Sequence, residues 1–264
     1  MVDKSEKFNW LVRVGYFARA ILYAMLGIVA LSSASEISQG TDGIFRAIEN
    51  FPAGFAILWI MAIGLLGYSL FRFASPLFDI ENQGSDGTGW ATRIGHAGSG
   101  VAHAVLAYAA FQFANGGGSS GDGAQVAAES VLNMTFGGAI LGVFGIIFFI
   151  TAAFQLKKSL TAEFMNRIGA GAPSYTKMLG RLGYAARAVV YVIIGWSLVR
   201  AGFGSGETGE VRTLGDALAG LAGSGTLFTL TAIGLLLFGI FSLVLSRYRI
   251  IPDLSQSGVP SYRS

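Results

Sequence analysis

The chain has 264 residues, of which 53% are hydrophobic and only 12% charged, and its formal net charge is +3. Soluble domains carry about 25% charged residues, so this composition excludes an ordinary water-facing surface and indicates burial in lipid. The chain contains no Cys, which excludes disulfides, thiolate catalysis and metal sites built from Cys.

Six apolar stretches are each long enough to cross a bilayer as a helix, which takes roughly 20 residues. None contains Asp or Glu, and none shows the strict alternation that is typical of a barrel strand. The six stretches are residues 11–31, 55–73, 95–113, 138–156, 182–199 and 226–245. We therefore predict an all-α membrane protein with six transmembrane helices, which forms a single domain over residues 1–264 with short terminal tails.

A cleaved signal peptide is the alternative for the first stretch, because Ser32-Ser33-Ala34 resembles a small-residue cleavage site. The stretch is long for such a segment and contains Arg19. Its pattern also returns in the fifth stretch, where a signal peptide cannot lie. We therefore interpret the first stretch as a membrane helix.

Lys and Arg are distributed unevenly between the two sides of the predicted membrane. All 18 except Arg46, Arg200 and Arg212 fall on the side that carries both termini. Cytoplasmic loops carry the excess of Lys and Arg. The sequence therefore predicts a multi-pass protein of the bacterial cytoplasmic membrane, with its N- and C-termini in the cytoplasm.

The first, third and fifth stretches are copies of one pattern. The segment from Arg13 to Tyr23 reads RVGYFARAILY, and the segment from Arg181 to Tyr191 reads RLGYAARAVVY, identical at seven of eleven positions. The middle copy, from Arg93 to His103, reads RIGHAGSGVAH. It places His96, Ser99 and His103 where the other copies have Tyr, Arg and Tyr.

The second helices repeat more weakly. Residues 62–66 read AIGLL and return as residues 232–236, while residues 56–58 read AIL and return as residues 139–141. We predict three two-helix units over residues 10–79, 90–160 and 178–249. An even number of helices gives every unit the same orientation, so we expect three parallel repeats in a pseudo-threefold arrangement around an axis along the membrane normal.

Each loop on the side opposite the termini contains a short segment with an apolar helical face. Two interpretations remain open: an amphipathic helix lying in the membrane interface, and a segment packing on its own bundle. The apolar positions are Ile44, Phe45, Ile48 and Phe51, then Val131 and Leu132, then Leu214, Leu218 and Leu221.

The segment GRLGYAARAVVY from Gly180 to Tyr191, and the middle copy with Gly95, His96, Ser99 and His103, resemble a bacterial membrane family known as domain of unknown function 1206. The resemblance covers nearly the whole chain and implies three tandem two-helix units. It implies no activity, and this sequence departs from the family pattern in its second helices, where the Arg-ended pattern is present only at Phe71-Arg72.

Two arginines, Arg19 and Arg187, lie inside predicted spans that contain no carboxylate. Near-end arginines commonly snorkel to lipid phosphates. The other interpretation is an anion site, for a lipid head group or a solute, because an ionisable residue inside the membrane is a candidate functional residue. Tyr residues share the helical face of each arginine, which a packing and interfacial role would also explain. These candidate residues are Tyr16, Tyr23, Tyr184 and Tyr191.

His96 and His103 are the only histidines, and their separation along one helix is about 10.5 Å at 1.5 Å per residue. That distance is too long for one metal ion, since helical metal pairs are normally four residues apart. Haem ligation would need a partner His from another copy of the chain. We expect hydrogen bonding across the bundle by both histidines and Ser99, with a proton relay as the alternative, and no metal or cofactor.

Three classes of function are compatible with these features. We favour a non-catalytic structural, regulatory or lipid-interacting membrane protein. The alternative is a transporter or channel for an anion or small solute, with Arg19 and Arg187 near a central pathway. Only the two histidines favour an enzyme or haem carrier. The expected partners are the bilayer, its anionic head groups and further copies of the chain; we expect no nucleic acid.

Overall fold

The computed structural model describes residues 4–32, 40–78, 86–118, 123–204, 211–251, 253–254 and 260–261. Residues 1–3 and most of the predicted C-terminal tail lie outside these residues, as do residues 79–85 of the linker between the first two units. Nine α-helices occupy the described part, with 3-10 turns at Glu163–Arg167 and Ala222–Ser224 and a two-residue pairing of Asp253–Leu254 with Pro260–Ser261. The helices are α1 Lys4–Ser32, α2 Gly40–Glu49, α3 Gly54–Phe78, α4 Gly87–Ala114, α5 Gly123–Leu132, α6 Gly137–Thr161, α7 Thr176–Phe203, α8 Leu214–Ala219 and α9 Thr226–Tyr248.

Every predicted span lies inside one of the six long helices. Five of the described helices are long and apolar enough to cross a membrane: α1 over Val12–Ser32, α3 over Gly54–Ala74, and α6, α7 and α9 over their full lengths. This finding indicates a membrane protein. Helix α4 has 28 residues but is not among the five; its apolar stretch contains the polar residues His96, Ser99, His103 and Gln112.

The six long helices contact one another in a closed order. Helix α1 packs on α3, α3 on α4, α4 on α6, α6 on α7, α7 on α9, and α9 returns to α1. Contacts between consecutive units, such as α3 with α4, are more extensive than contacts within a unit, such as α1 with α3. The packing of α4 on α6 is the least extensive of the six.

The arginine that opens each repeat binds the end of a second helix. Arg93 donates from Nε to the carbonyl oxygen of Pro76 over 2.8 Å, and Arg181 donates from Nε to that of Ser159 over the same distance. Arg13 donates from Nη1 to the carbonyl oxygen of Ser246 over 2.9 Å. A cation suits the unpaired carbonyls and negative dipole at a helix C-terminus. These contacts hold the starts of α1, α4 and α7 beside the ends of α3, α6 and α9, at what we call the basic end.

Glycine allows the close approach of α9 to α1. A Cβ on Gly239 would lie 2.6 Å from the backbone nitrogen of Ala24 and 2.9 Å from the carbonyl oxygen of Ala20. Small residues at such a crossing let two backbones come together. The seam between the first and last helices therefore depends on the missing side chain at Gly239.

The short helices pack on the bundle at the opposite end. Ile44, Phe45 and Ile48 of α2 are buried, whereas Phe51, just beyond the helix, is 50% exposed. Helix α2 also contacts α8, whose start is held by a capping box between Thr213 and Asp216. These segments are helical, and their apolar faces contact protein.

Candidate anion-binding site

The two predicted stripes of the first helices face the interior of the bundle. The Arg19 side chain is 2% exposed and that of Arg187 is 3% exposed, so neither guanidinium snorkels to the surface. The four tyrosines are buried as well: Tyr16, Tyr23, Tyr184 and Tyr191. The helical spacing of these residues thus gives α1 and α7 one polar, aromatic face each, directed inward.

The aromatic ring of Phe238, on α9, is in contact with both guanidinium groups. The Cζ atom of Arg19 is 4.9 Å from the centroid of this ring, and that of Arg187 is 4.6 Å from it. Arg19 also lies 4.5 Å from the Tyr16 ring, and Arg187 lies 4.8 Å from the Tyr191 ring. These distances are in the range of cation–π attraction, which is stronger for a desolvated cation. Aromatic rings therefore provide much of the environment of both buried charges.

Hydrogen bonds from α1 to α3 and α9 orient Arg19. Its Nε donates to Ser242 Oγ over 3.1 Å, and its Nη1 donates to the hydroxyl of Tyr68 over 2.5 Å. The Tyr68 hydroxyl also accepts from Arg72 Nε over 2.9 Å. Arg187 donates from Nη2 to the hydroxyl of Tyr191, one turn along its own helix.

The two buried guanidinium groups keep unused hydrogen-bonding capacity. Within the described residues, Nη2 of Arg19 and Nε of Arg187 have no hydrogen-bond partner, and neither arginine is paired with a carboxylate. Burying a charge without a paired opposite charge is costly. An oxyanion beside these groups would offset that cost through charge-assisted hydrogen bonds from the guanidinium groups.

A cavity of about 330 Å³ at the basic end contains both arginines in its wall. The six equivalent residues of the three first helices all line it: Tyr16, His96, Tyr184, Arg19, Ser99 and Arg187. Further cationic side chains surround these: Arg72, Lys157, Lys158, Arg167 and Arg249. The carboxylate in the lining is Glu163, which lies 3.2 Å from the Nζ atom of Lys157. We call this space the cationic cavity.

Smaller side chains of the middle unit leave room for the cavity. Where the other units place Arg19 and Arg187, the middle unit has Ser99. The repeat register of the second helices aligns Thr151 with Tyr68 and Phe238, so the middle unit also lacks the large aromatic ring at that level. Both Ser99 and Thr151 line the cavity. The sequence difference between the units thus becomes an opening on one side of the bundle.

The structure places the two histidines at different depths. His96 lines the cationic cavity, whereas the Nδ1 atom of His103 is 2.7 Å from the carbonyl oxygen of Ser99 on the same helix. A carbonyl only accepts, so Nδ1 carries the hydrogen. His103 therefore donates this hydrogen bond within α4. This contact is not the hydrogen bond across the bundle that we expected for His103. No group of three potential ligands among His, Asp and Glu converges within the described residues.

Sequence reasoning missed the residues that the second helices contribute. Tyr68, Ser242 and Phe238 contact the arginines, and Arg72 and Gln155 line the cavity. The weaker repeat contained a signal for them. Extending the match of residues 62–66 with 232–236 by a few positions aligns Tyr68 with Phe238 and Arg72 with Ser242.

Comparison with known proteins identifies the family to which the chain belongs. The family model described as Domain of Unknown Function (DUF1206) matches three tandem segments, residues 14–78, 94–162 and 182–249. This chain belongs to the DUF1206 family. The three matches to DUF1206 contain the six equivalent residues of the cationic cavity, which are Tyr16, Arg19, His96, Ser99, Tyr184 and Arg187.

One curated relative is similar to this DUF1206 chain over almost its full length. It is "Uncharacterized protein YxxB" of Bacillus subtilis (strain 168), which is 29% identical over 259 residues, covering 93% of this chain and 94% of that protein. No solved structure matches the chain significantly.

Proposed function

We propose that the chain crosses the bacterial cytoplasmic membrane six times, with pseudo-threefold symmetry and with its basic end in the cytoplasm. The equivalent contacts of Arg13, Arg93 and Arg181 support the symmetry, as does the closed order of the long helices. The excess of Lys and Arg at that end supports the orientation. Helix α4 would cross as the sixth span, with His96, Ser99 and His103 directed to the interior.

We further propose that the protein binds an oxyanion, which enters the cationic cavity from the cytoplasm. One observation carries this proposal: Arg19 and Arg187 are both buried, both line the cavity, and neither is paired with a described carboxylate. Guanidinium groups match the geometry of phosphate and carboxylate. The guanidinium groups of the two arginines would bind the anion, and the lysines and arginines nearer the surface would attract it.

The role that we propose is non-catalytic. The sequence offers no candidate set of nucleophile, base and acid, and the cavity is dominated by cations. Such a site suits a protein that senses, holds or passes on an anionic ligand, a lipid head group or a solute, rather than one that transforms it.

Thermal unfolding of the purified protein in neutral detergent tests the site. The midpoint temperature is measured as inorganic phosphate replaces chloride at constant ionic strength, and then as phosphatidylglycerol is added to the micelles. We expect both additions to raise the midpoint, because a ligand that binds only the folded state stabilises it. The double variant Arg19→Gln with Arg187→Gln should lose the response.

The matched control is Lys177→Gln. Lys177 is exposed at the same end but does not line the cationic cavity, so its removal takes away a surface cation and should leave the response intact. A wild-type protein that responds to neither anion would refute the proposal, and so would a double variant that responds fully.

A second candidate function is transport of an anion along the bundle axis. The residues one turn beyond the arginines, Tyr23, His103 and Tyr191, line a separate cavity towards the opposite end, as a pathway on the axis would require. Release of trapped phosphate from liposomes that contain the protein tests this function. We expect release from wild-type liposomes and none from liposomes with the double arginine variant; equal release from both would contradict a pathway through the arginines.

A further inference from the structure

The second cavity differs in chemistry from the cationic cavity. It has a volume of about 230 Å³ and is lined mainly by apolar side chains of α4, α6 and α7. Polar groups in its wall lie at its two limits, with Tyr23, His103 and Tyr191 next to the arginines and with Arg212 and Thr213 at the opposite end. The apolar lining includes Val101, Leu106, Leu141, Phe144, Ile194 and Leu198. We call this space the apolar cavity.

A small void lies between the two cavities, at the seam of α4 and α6. Its volume is about 10 Å³, close to the space that one water molecule needs. It shares Ser99 and Thr151 with the cationic cavity, and it shares Gly98, Ala102 and Tyr191 with the apolar cavity. The three spaces therefore lie next to one another, polar at the basic end and apolar beyond.

The weakest seam of the bundle runs beside these spaces. Helices α4 and α6 make the least extensive contact in the ring, and the α4 residues at their seam include Gly98 and Ala102. Val101, next to them, lines the apolar cavity and is 42% exposed. The seam between α4 and α6, bordered by small side chains, is therefore the place where a ligand from the lipid would have to separate the least side-chain packing.

We propose that the ligand is an anionic amphiphile, whose oxyanion head lies in the cationic cavity and whose single acyl chain passes the seam into the apolar cavity. This inference rests on the proposed anion site and names its ligand class. A phosphate head on a lipid and the carboxylate of a free fatty acid share the required chemistry, an oxyanion joined to a long hydrocarbon chain.

The apolar cavity favours an amphiphile over a small hydrated anion. A bare anion would lose its hydration among Leu141, Phe144 and Ile194 without gaining donors. A hydrocarbon chain gains free energy in the same place, since it has no polar group to desolvate. The order of the cavities also matches a lipid in the inner leaflet, with its head towards the cytoplasm.

Binding to the full-length protein in neutral detergent tests the proposal with paired probes. Two pairs compare a charged amphiphile with its headgroup alone: palmitoyl-lysophosphatidylglycerol with glycerol phosphate, and palmitate with acetate. A fifth probe, monopalmitoylglycerol, has the acyl chain but no charge. We expect each charged amphiphile to bind at least about tenfold more tightly than its headgroup alone, because burying about two CH2 groups already gives such a factor. The uncharged probe should bind at least about tenfold more weakly than the lysolipid, since a buried charge-assisted bond is worth that much or more.

A variant that fills the seam separates the head from the chain. Ala102→Phe should weaken binding of the charged amphiphiles about tenfold or more while leaving glycerol phosphate unchanged. Ala104→Phe is the matched control, because Ala104 is a half-buried residue of the same helix that lines neither cavity. Val131→Phe fills the apolar cavity from α5 and replaces the first variant if Ala102→Phe does not fold.

Each outcome decides one proposal. The proposal of an amphiphilic ligand is refuted if the headgroups alone bind as tightly as the amphiphiles. It is also refuted if both Ala102→Phe and Val131→Phe bind the amphiphiles normally. In either case the proposed anion site is retained. If no charged probe binds, the anion site itself is refuted. If only the lysolipid or only palmitate binds, the source of the oxyanion is identified and the proposal is upheld.

Discussion

Arg13, near the start of α1, donates a hydrogen bond to the carbonyl oxygen of Ser246, near the end of α9, across 233 positions of the chain. A second bond from the same nitrogen reaches the carbonyl oxygen of Arg247 over 2.5 Å. The equivalent bonds of Arg93 and Arg181 join units that are neighbours in the chain. The Arg13 contact joins the last unit to the first, and it therefore closes the ring of helices.

Replacing Arg13 by Ala should lower the free energy of unfolding by about 1.5 kcal/mol, the lower part of the range for hydrogen bonds from charged groups, because this contact is partly exposed. Chemical unfolding in detergent measures the change. Arg181→Ala should cost a similar amount, since it removes the equivalent bond to Ser159. Lys177→Ala, which removes an exposed cation of the same end, should change stability by less than about 0.5 kcal/mol. If all three variants lost the same free energy of unfolding, the positive charge, and not the contact with the carbonyl oxygens, would be what stabilises the protein.

Replacing Gly239 by Ala should destabilise the protein by about 1–3 kcal/mol, as overpacking does. The added Cβ would meet the backbone of α1 at Ala20 and Ala24, and backbone cannot move aside as a flexible side chain can. Thermal unfolding checks the effect. Gly223→Ala is the control, because a Cβ on Gly223 meets nothing within 4 Å. A Gly239→Ala protein as stable as the control would contradict the close approach of α1 and α9.

Replacing Thr151 by Phe should weaken the binding of phosphate while the protein stays folded. The variant gives the middle unit the aromatic ring that the first and third units have at this position, and the ring would occupy part of the cationic cavity. We expect affinity for phosphate to fall about tenfold or more, since an anion displaced from both arginines loses charge-assisted bonds. Titration calorimetry measures the affinity. Thr161→Phe, an exposed position of the same helix that lines neither cavity, should bind phosphate normally.

Single cysteines test the orientation, because the natural chain contains none. Ser174→Cys lies exposed at the basic end, and Ser224→Cys lies exposed at the opposite end. In intact cells a membrane-impermeant maleimide should label Ser224→Cys and not Ser174→Cys, and both should react after lysis. The reverse pattern would place the cationic cavity outside the cell.

The sequence alone predicts the long helices well, because each depends on a local property. Each span must contain a long apolar run, whatever its neighbours are. The repeat that begins with Arg13 to Tyr23 can also be recognised from the sequence alone. The spacing of Tyr16, Arg19 and Tyr23 likewise predicts a shared helical face. Whether that face meets lipid or protein depends on the neighbours of the helix, and a single sequence does not state them.

The sequence predicts the site residues of the first helices but not those of the second helices, because the latter depend on which helices are neighbours. Ser242 hydrogen-bonds Arg19 from a helix more than two hundred residues later in the chain, and Phe238 contacts two arginines of different units. Such contacts follow from the order of the helices in the ring. The size of the cationic cavity depends on what is missing at Ser99 and Thr151, and a missing side chain leaves no motif to recognise.

The substitution of Ser99 for arginine has a consequence that depends on the three units being covalently joined. In a trimer of separate two-helix chains, every replacement would occur three times, so that removing one guanidinium would remove them all. Fusion into one polypeptide frees each copy to diverge. The first and third copies can then keep the positive charges while the second supplies the empty volume. A single binding pocket can therefore lie to one side of the axis, whereas a true homotrimer could form a single pocket only if it were symmetric about that axis.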